Sequence, residues 1–176
     1  MSTEFNLRER AAEFGISLSD KQVVQFKEYY QLLIEWNERI NLTAITKMTD
    51  VMEKHFIDSM MVFTVMDSKE HERVIDIGTG AGFPSVPMKI VHPDLDITLV
   101  DALQKRVHFL NELSGCLQLP MKIIHGRAEE LSKAKQMREG FDCAVSRAVA
   151  KLSSLAEYVL ASVAVGGMFN DWAGLA

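Results

Sequence analysis

At 176 residues, the chain has room for one domain with a small extra lobe, and 48% apolar residues supply a real core. A formal net charge of −5 argues against broad, nonspecific nucleic-acid binding but leaves room for a local basic face. No apolar run is long enough to span a membrane, and the opening MSTEFNLRER is too polar for a secretory signal. Cys116 and Cys143 stand alone, so neither a disulfide framework nor a zinc site is expected, and the chain reads as cytoplasmic with no metal.

Residues 1–67 read as an N-terminal helical lobe. Ser19 and Gln22 form a capping box that opens a helix. Val23, Phe26, Tyr30, Leu33, Trp36 and Ile40 follow at helical spacing on one face. The helix stops near NLTAI, Asn41 to Ile45. Asp50 with Glu53 suggests a second cap, after which Met52, Phe56, Met60 and Phe63 repeat the helical spacing.

Residues 68–176 change period. RVIDI at 73–77, DITLVD at 96–101, MKIIHG at 121–126, FDCAVS at 141–146 and GGMFN at 166–170 are short apolar runs. A helical segment, 103–118, places Val107, Leu110, Leu113 and Leu117 on one side. Strands alternating with helices predict an α/β fold with a parallel sheet covered on both faces.

The first strand runs into Gly78-Thr79-Gly80-Ala81-Gly82, a loop with little side chain where a ligand can meet bare backbone. A dinucleotide fingerprint wants glycine at 83, where the chain has Phe83, and no phosphate-binding P-loop motif is present. The G-x-G-x-G spacing, with Asp76 two residues before it, suits S-adenosylmethionine instead. Asp101, at the end of the next strand, can accept hydrogen bonds from a ribose diol. GRAEE at 126–130 follows the third strand, where a backbone N–H at Ala128 or Glu129 can read the adenine edge. Read singly, these are a tight turn, a helix cap and a solvated helix start; together, after consecutive strands, they form a binding site.

These motifs resemble the bacterial glucose-inhibited division protein B family, small-subunit rRNA guanine-N7 methyltransferases. The resemblance runs from about residue 20 to 168. WNERINLTAI, KHFIDSM, IDIGTGAGFPSVPMKI, LVDALQKRVHFL, GRAEE and SRAVAKL occur in the family's order. It implies a Rossmann-like class I S-adenosylmethionine-dependent methyltransferase sheet, with 16S ribosomal RNA or the small ribosomal subunit as partner. Gly78, Gly80, Gly82 and Phe83 would line the cofactor, Asp101 would hold the ribose, and Ala128 and Glu129 would flank the adenine. Arg147 would sit beside the methyl-transfer pocket. Its place after the fourth strand, at the switch point of such a sheet, is consistent with that role; the alternative is an ordinary surface arginine. Lys105, Arg106, Arg147 and Lys151 are candidates for a phosphate-contacting rim. His55 can face the cleft, but a core or packing role is the first expectation.

The family pattern has seven strands and five are counted here. After Phe169 the resemblance ends, and NDWAGLA reads as an altered frame or a truncation that lacks the last strands. A fifth strand without its covering hairpin is expected to favour edge-mediated association and a looser site. Two alternatives stand beside the rRNA enzyme: a weak or inactive remnant that still binds cofactor, and a small-molecule methyltransferase. The second fits the N-terminal motifs poorly.

Overall fold

The computed structural model describes residues 6–64, 72–131, 140–147 and 162–171. Helix α1 is Leu7–Ala12 and α2 is Asp20–Asn37. The predicted capping box opens α2: Gln22 N donates to Ser19 Oγ at 3.3 Å and Ser19 N donates to Gln22 Oε1 at 2.8 Å. The Gln22 amide nitrogen also donates to the Ile90 and Val91 carbonyls, at 2.8 and 3.0 Å. One side chain thus opens one helix and closes the end of another.

The second helical stretch differs from expectation. It begins at Met48 after Lys47, with no side-chain cap, and Asp50 lies inside the first turn. Glu53 accepts instead from Arg10 Nε at 2.9 Å, tying this stretch to α1. Helix α3, Met48–Val51, runs into a π-helical turn, Met52–Ile57, then α4, Asp58–Met60, and a 3₁₀ turn, Met61–Thr64. Phe56 and Met60 are buried, as their spacing predicted.

Strands β1 (Arg73–Ile77), β2 (Asp96–Asp101), β3 (Lys122–His125), β4 (Phe141–Ser146) and β5 (Val163–Asp171) form one parallel sheet in the order β3-β2-β1-β4-β5. β5 begins three residues before the predicted run. Helix α5 (Ser85–Val91) links β1 to β2, α6 (Gln104–Leu117) links β2 to β3, and α7 (Ala128–Leu131) follows β3.

Alternate residues of the sheet face two apolar clusters. Val74, Ile97, Leu99, Cys143 and Val145 join Phe26, Tyr29, Phe56, Val86 and Leu110 in the larger one. Ile75, Ile77, Val100, Phe141, Ala144 and Val163 form the other. Both faces are buried, which accounts for the continuously apolar strands. The larger cluster takes in α2 and the π-helical turn, so the N-terminal helices share the core of the sheet. The expected lobe boundary at 67/68 lies outside the described residues, as do Lys151 and the segments 132–138 and 172–176.

Candidate functional site

Sheet order makes the site. β1 is central, with β2 on one side and β4 on the other, and its crossovers diverge there, so the carboxyl ends of these strands open a crevice. A cavity of about 430 Å³ lies at that crevice. It is lined by Gly78 to Ala81 and Phe83 from the β1 loop, Asp101 to Leu103 and Arg106 after β2, and Arg147 after β4. Leu42 and Thr43, from the loop between α2 and α3, and His55 of the π-helical turn close it. That volume falls in the ~300–1,000 Å³ range of small-ligand clefts.

The loop is built by backbone geometry. Gly78, Gly80 and Gly82 all have positive φ. A side chain at Gly80, where φ is +61°, would meet nothing within 4 Å, so the missing Cβ leaves open space at the cavity wall. Gly82 serves the core instead. A Cβ there would lie 2.7 Å from Val86 Cγ2 and 2.9 Å from the Tyr29 hydroxyl. Of the three expected cofactor glycines, the structure brings Gly78 and Gly80 to the cavity and packs Gly82 behind it.

Asp101 is buried and holds the loop. Its Oδ2 accepts from Gly80 N at 2.8 Å and its Oδ1 from Leu103 N at 2.9 Å, with Arg106 Nη1 at 3.7 Å. An ionised carboxylate has about four lone-pair sites, so each oxygen keeps capacity for a further donor. Ala128 and Glu129 open α7 and are not among the lining residues of this cavity. Arg106 joins Arg147 at the cavity, and Lys105 does not.

Arg147 is fixed by the N-terminal helices. Its Nη1 lies 3.4 Å from both the Lys54 carbonyl and Asp58 Oδ2, and its Nη2 lies 3.1 Å from His55 Nδ1. The guanidinium carbon stands 5.0 Å from the centre of the Phe83 ring. Phe83 stacks with both Tyr29 and His55, with centroids 5.2 and 4.5 Å apart. The Tyr29 hydroxyl donates to the Ala81 carbonyl at 2.6 Å.

His55 and Tyr29 are the site residues that spacing did not reveal. His55 was expected in the packing and does pack, but it also lines the cavity. Tyr29 is three residues after Phe26 and satisfies the same helical face as the expected Tyr30; the structure buries Tyr29 and leaves Tyr30 half-buried.

Two titrations oppose one another beneath this site. Burial pushes the Asp76 carboxyl up to about 7, against the opposing pull of the neighbouring polar groups of Ser85 and Thr79. Thr79 Oγ1 donates to Asp76 Oδ2 at 2.9 Å, while among the described residues Oδ1 has no hydrogen-bond partner. Burial, helped by the Arg147 charge, pulls His55 down to about 4. Asp76 binds its proton more tightly folded than unfolded, so its contribution is full below about pH 4 and is lost as pH rises through 7. His55 binds its proton less tightly folded, so its contribution is full above 6.5 and is lost as pH falls towards 4. The two slopes oppose each other between pH 4 and 6.5. Asp76→Asn is expected to remove one of them, leaving a variant whose stability climbs with pH across that window more steeply than wild type, by up to about 1.4 kcal/mol per pH unit. Urea unfolding at stepped pH measures it; equal slopes in the two proteins would mean Asp76 is ionised throughout.

Among the described residues, no helix is long and apolar enough to cross a membrane, and no cluster of three metal-ligating side chains occurs.

The fold is shared with solved methyltransferases at low identity. An S-adenosylmethionine-dependent methyltransferase from Thiobacillus denitrificans, in complex with S-adenosyl-L-homocysteine, superposes with a TM-score of 0.57 at 14% identity, covering 79% of this chain and 54% of its own. One from Aquifex aeolicus gives 0.52 at 19%, covering 65% and 62%. Sequence relatives are much nearer. Ribosomal RNA small subunit methyltransferase G of Exiguobacterium sibiricum is 52% identical over 159 residues, covering 90% of this chain. The same enzyme of Caldanaerobacter subterraneus is 51% identical over 160 residues. The chain spans 67% of the length of each of these two relatives. Residues 22–173 match the model of the rRNA small subunit methyltransferase G family, and the chain belongs to that family.

Proposed function

We propose that this chain binds S-adenosylmethionine in the crevice at the ends of β1 and β2 and transfers its methyl group to N7 of a guanine in 16S ribosomal RNA. The observation that carries the reading is one wall of the cavity: the side-chain-free backbone at Gly80, hydrogen-bonded to the buried carboxylate of Asp101. That wall offers bare backbone to a chain-like group and spare acceptor capacity to a diol.

When bound, the cofactor supplies an electrophilic methyl on a sulfonium. Guanine N7 has a free lone pair and no proton at neutral pH, so the protein needs no general base. What it must do is hold two partners in line and exclude water. Asp101 accepts from the ribose hydroxyls. Arg147, braced by His55, Asp58 and Phe83, presents a fixed cation on the far side of the cavity, where it can meet the acceptor's oxygens or phosphate. Arg106, at the cavity edge, adds a second positive group for the RNA backbone. Support for rRNA as the acceptor is family membership together with the names of the nearer relatives.

Asp101→Ala removes charge-assisted hydrogen bonds to the ribose and the tether on Gly80 N. The expected cost in cofactor affinity is about 1.5–3 kcal/mol, roughly 10- to 150-fold in Kd. Calorimetry with S-adenosylhomocysteine and with NADH checks it. NADH binding without S-adenosylhomocysteine binding, or an unchanged affinity in the variant, would sink the reading. Labelled methyl transfer to small ribosomal subunits lacking the modification then tests the acceptor. Cofactor binding without transfer would leave a binding module instead of an enzyme.

A further inference from the structure

His55 makes two contacts through one ring nitrogen that cannot both be hydrogen bonds. Its Nδ1 lies 3.1 Å from Arg147 Nη2 and 3.1 Å from the Lys54 carbonyl oxygen. A guanidinium only donates, so the first contact needs a bare Nδ1; a carbonyl only accepts, so the second needs Nδ1–H. The other nitrogen, Nε2, lies 2.8 Å from Thr43 Oγ1. A hydroxyl can play either part: Thr43 can accept from Nε2–H or donate to a bare Nε2. It already accepts from Ile45 N at 3.0 Å, and a second lone pair remains.

Two self-consistent arrangements follow. In one, Nε2–H donates to Thr43 and the bare Nδ1 accepts from Arg147. In the other, the Thr43 hydroxyl donates to Nε2, Nδ1–H donates to Lys54, and Arg147 loses its histidine acceptor. We propose that His55 is a positioning residue for Arg147, and that its tautomer, set by Thr43 at the cavity wall, decides whether the arginine keeps its histidine acceptor at Nη2 or is left to Asp58 and the Lys54 carbonyl at Nη1. Thr43 is well placed to act on it. It lines the cavity beside Leu42, and both their backbone N–H groups donate to Asn37 Oδ1, at 2.9 and 2.8 Å. An acceptor base seated on that wall competes for the Thr43 hydroxyl and so acts on Arg147 through the ring. The π-helical turn serves the same end, since it brings the Lys54 carbonyl, His55 and Asp58 to one guanidinium; such turns are frequent at functional sites. Only the kinetic arm of the test rests on the methyl-transfer reading above.

The first arm reads nitrogen-15 shifts in the uniformly labelled chain. Wild-type His55 is expected to show a protonated Nε2 and a bare Nδ1, and the Arg147 Nε–H signal should be distinct. Thr43→Val removes the Nε2 partner and should move the proton to Nδ1, with a shift at Arg147 Nε. An unchanged tautomer and an unchanged Arg147 signal in Thr43→Val overturn the proposal, whatever the activity. The second arm compares two substitutions at 55, each checked for folding by circular dichroism. In His55→Asn the amide oxygen can stand where Nδ1 stood, while in His55→Gln the amide reaches towards Thr43. His55→Asn should turn over at least tenfold faster than His55→Gln, because only the asparagine oxygen can still accept from Arg147. His55→Gln should lose tenfold or more in kcat with KM for the ribosomal subunit within threefold. Equal behaviour of the two variants would make His55 a packing residue only. A wild-type chain that binds no cofactor would sink the functional reading while the first arm still decides the role of His55.

Discussion

Arg147→Ala is expected to cut methyl transfer by about a hundredfold or more, because misplacing a reacting group by ~1 Å already costs about that much. The guanidinium is the meeting point of β4 and the N-terminal helices, so the variant loses more than a charge. Asp58, which is fully buried, loses an ion-pair partner at 3.4 Å, and the Phe83 ring loses the cation near it. A stability loss of about 1–3 kcal/mol should accompany the kinetic one. Arg147→Lys separates the two effects: it keeps the charge for Asp58 but not the planar fork, so it should recover most of the stability and little of the rate. Urea unfolding alongside the labelled-methyl assay measures both. A lysine variant as fast as wild type would reduce Arg147 to a structural ion-pair partner.

Gly82→Ala should be the most damaging small substitution in the glycine loop. The new methyl would stand 2.7 Å from Val86 Cγ2 and 2.9 Å from the Tyr29 hydroxyl, at a φ of +96°. Backbone strain costs about 1–3 kcal/mol and overpacking about as much again. Against a typical total of roughly 5–15 kcal/mol, that is a large fraction. The thermal midpoint should fall by roughly 5–15 °C. The damage would also spread, because moving Tyr29 disturbs its stack on Phe83 and its bond to the Ala81 carbonyl. Adding Val86→Ala clears one of the two clashes and should restore part of the midpoint, but not the strain. Gly80→Ala has the same kind of φ and no clash, so it should fold better than Gly82→Ala. If the two single variants melt together, packing behind the loop contributes little and backbone strain alone sets the cost.

The sheet was readable because its signals are local. β1, β2 and β4 begin and end where their apolar runs do, since both faces are buried and few polar residues interrupt them. The capping box at Ser19 was readable for the same reason: both partners lie within one turn. Asp50 and Glu53 have the same spacing, yet Glu53 is held by Arg10, 43 residues away, and no local rule can see that. Periodicity marked Phe56 and Met60 as buried, but it could not show a π-helical turn, which rotates His55 and Asp58 towards Arg147. The glycine triplet was legible as a bare loop at the end of β1, and Gly78 and Gly80 do line the cavity there. That Gly82 answers to Tyr29 and Val86 while Gly80 faces open space depends on a helix more than fifty residues upstream.

The strand order also has a consequence in time. A ribosome delivers β1, β2 and β3 in sequence, and these three are neighbours in the finished sheet. Of the described residues that line the cavity, all but Arg147 have been made by the time the ribosome reaches His125. β4 comes later, yet its seat is beside β1, the first strand made. Through that interval the β4 side of β1, from Val74 to Asp76, has open N–H and C=O groups and a flanking surface meant for burial. The nascent chain is therefore most exposed to mispairing at the sheet's future centre, and the strand that ends the exposure also delivers Arg147 to the cavity.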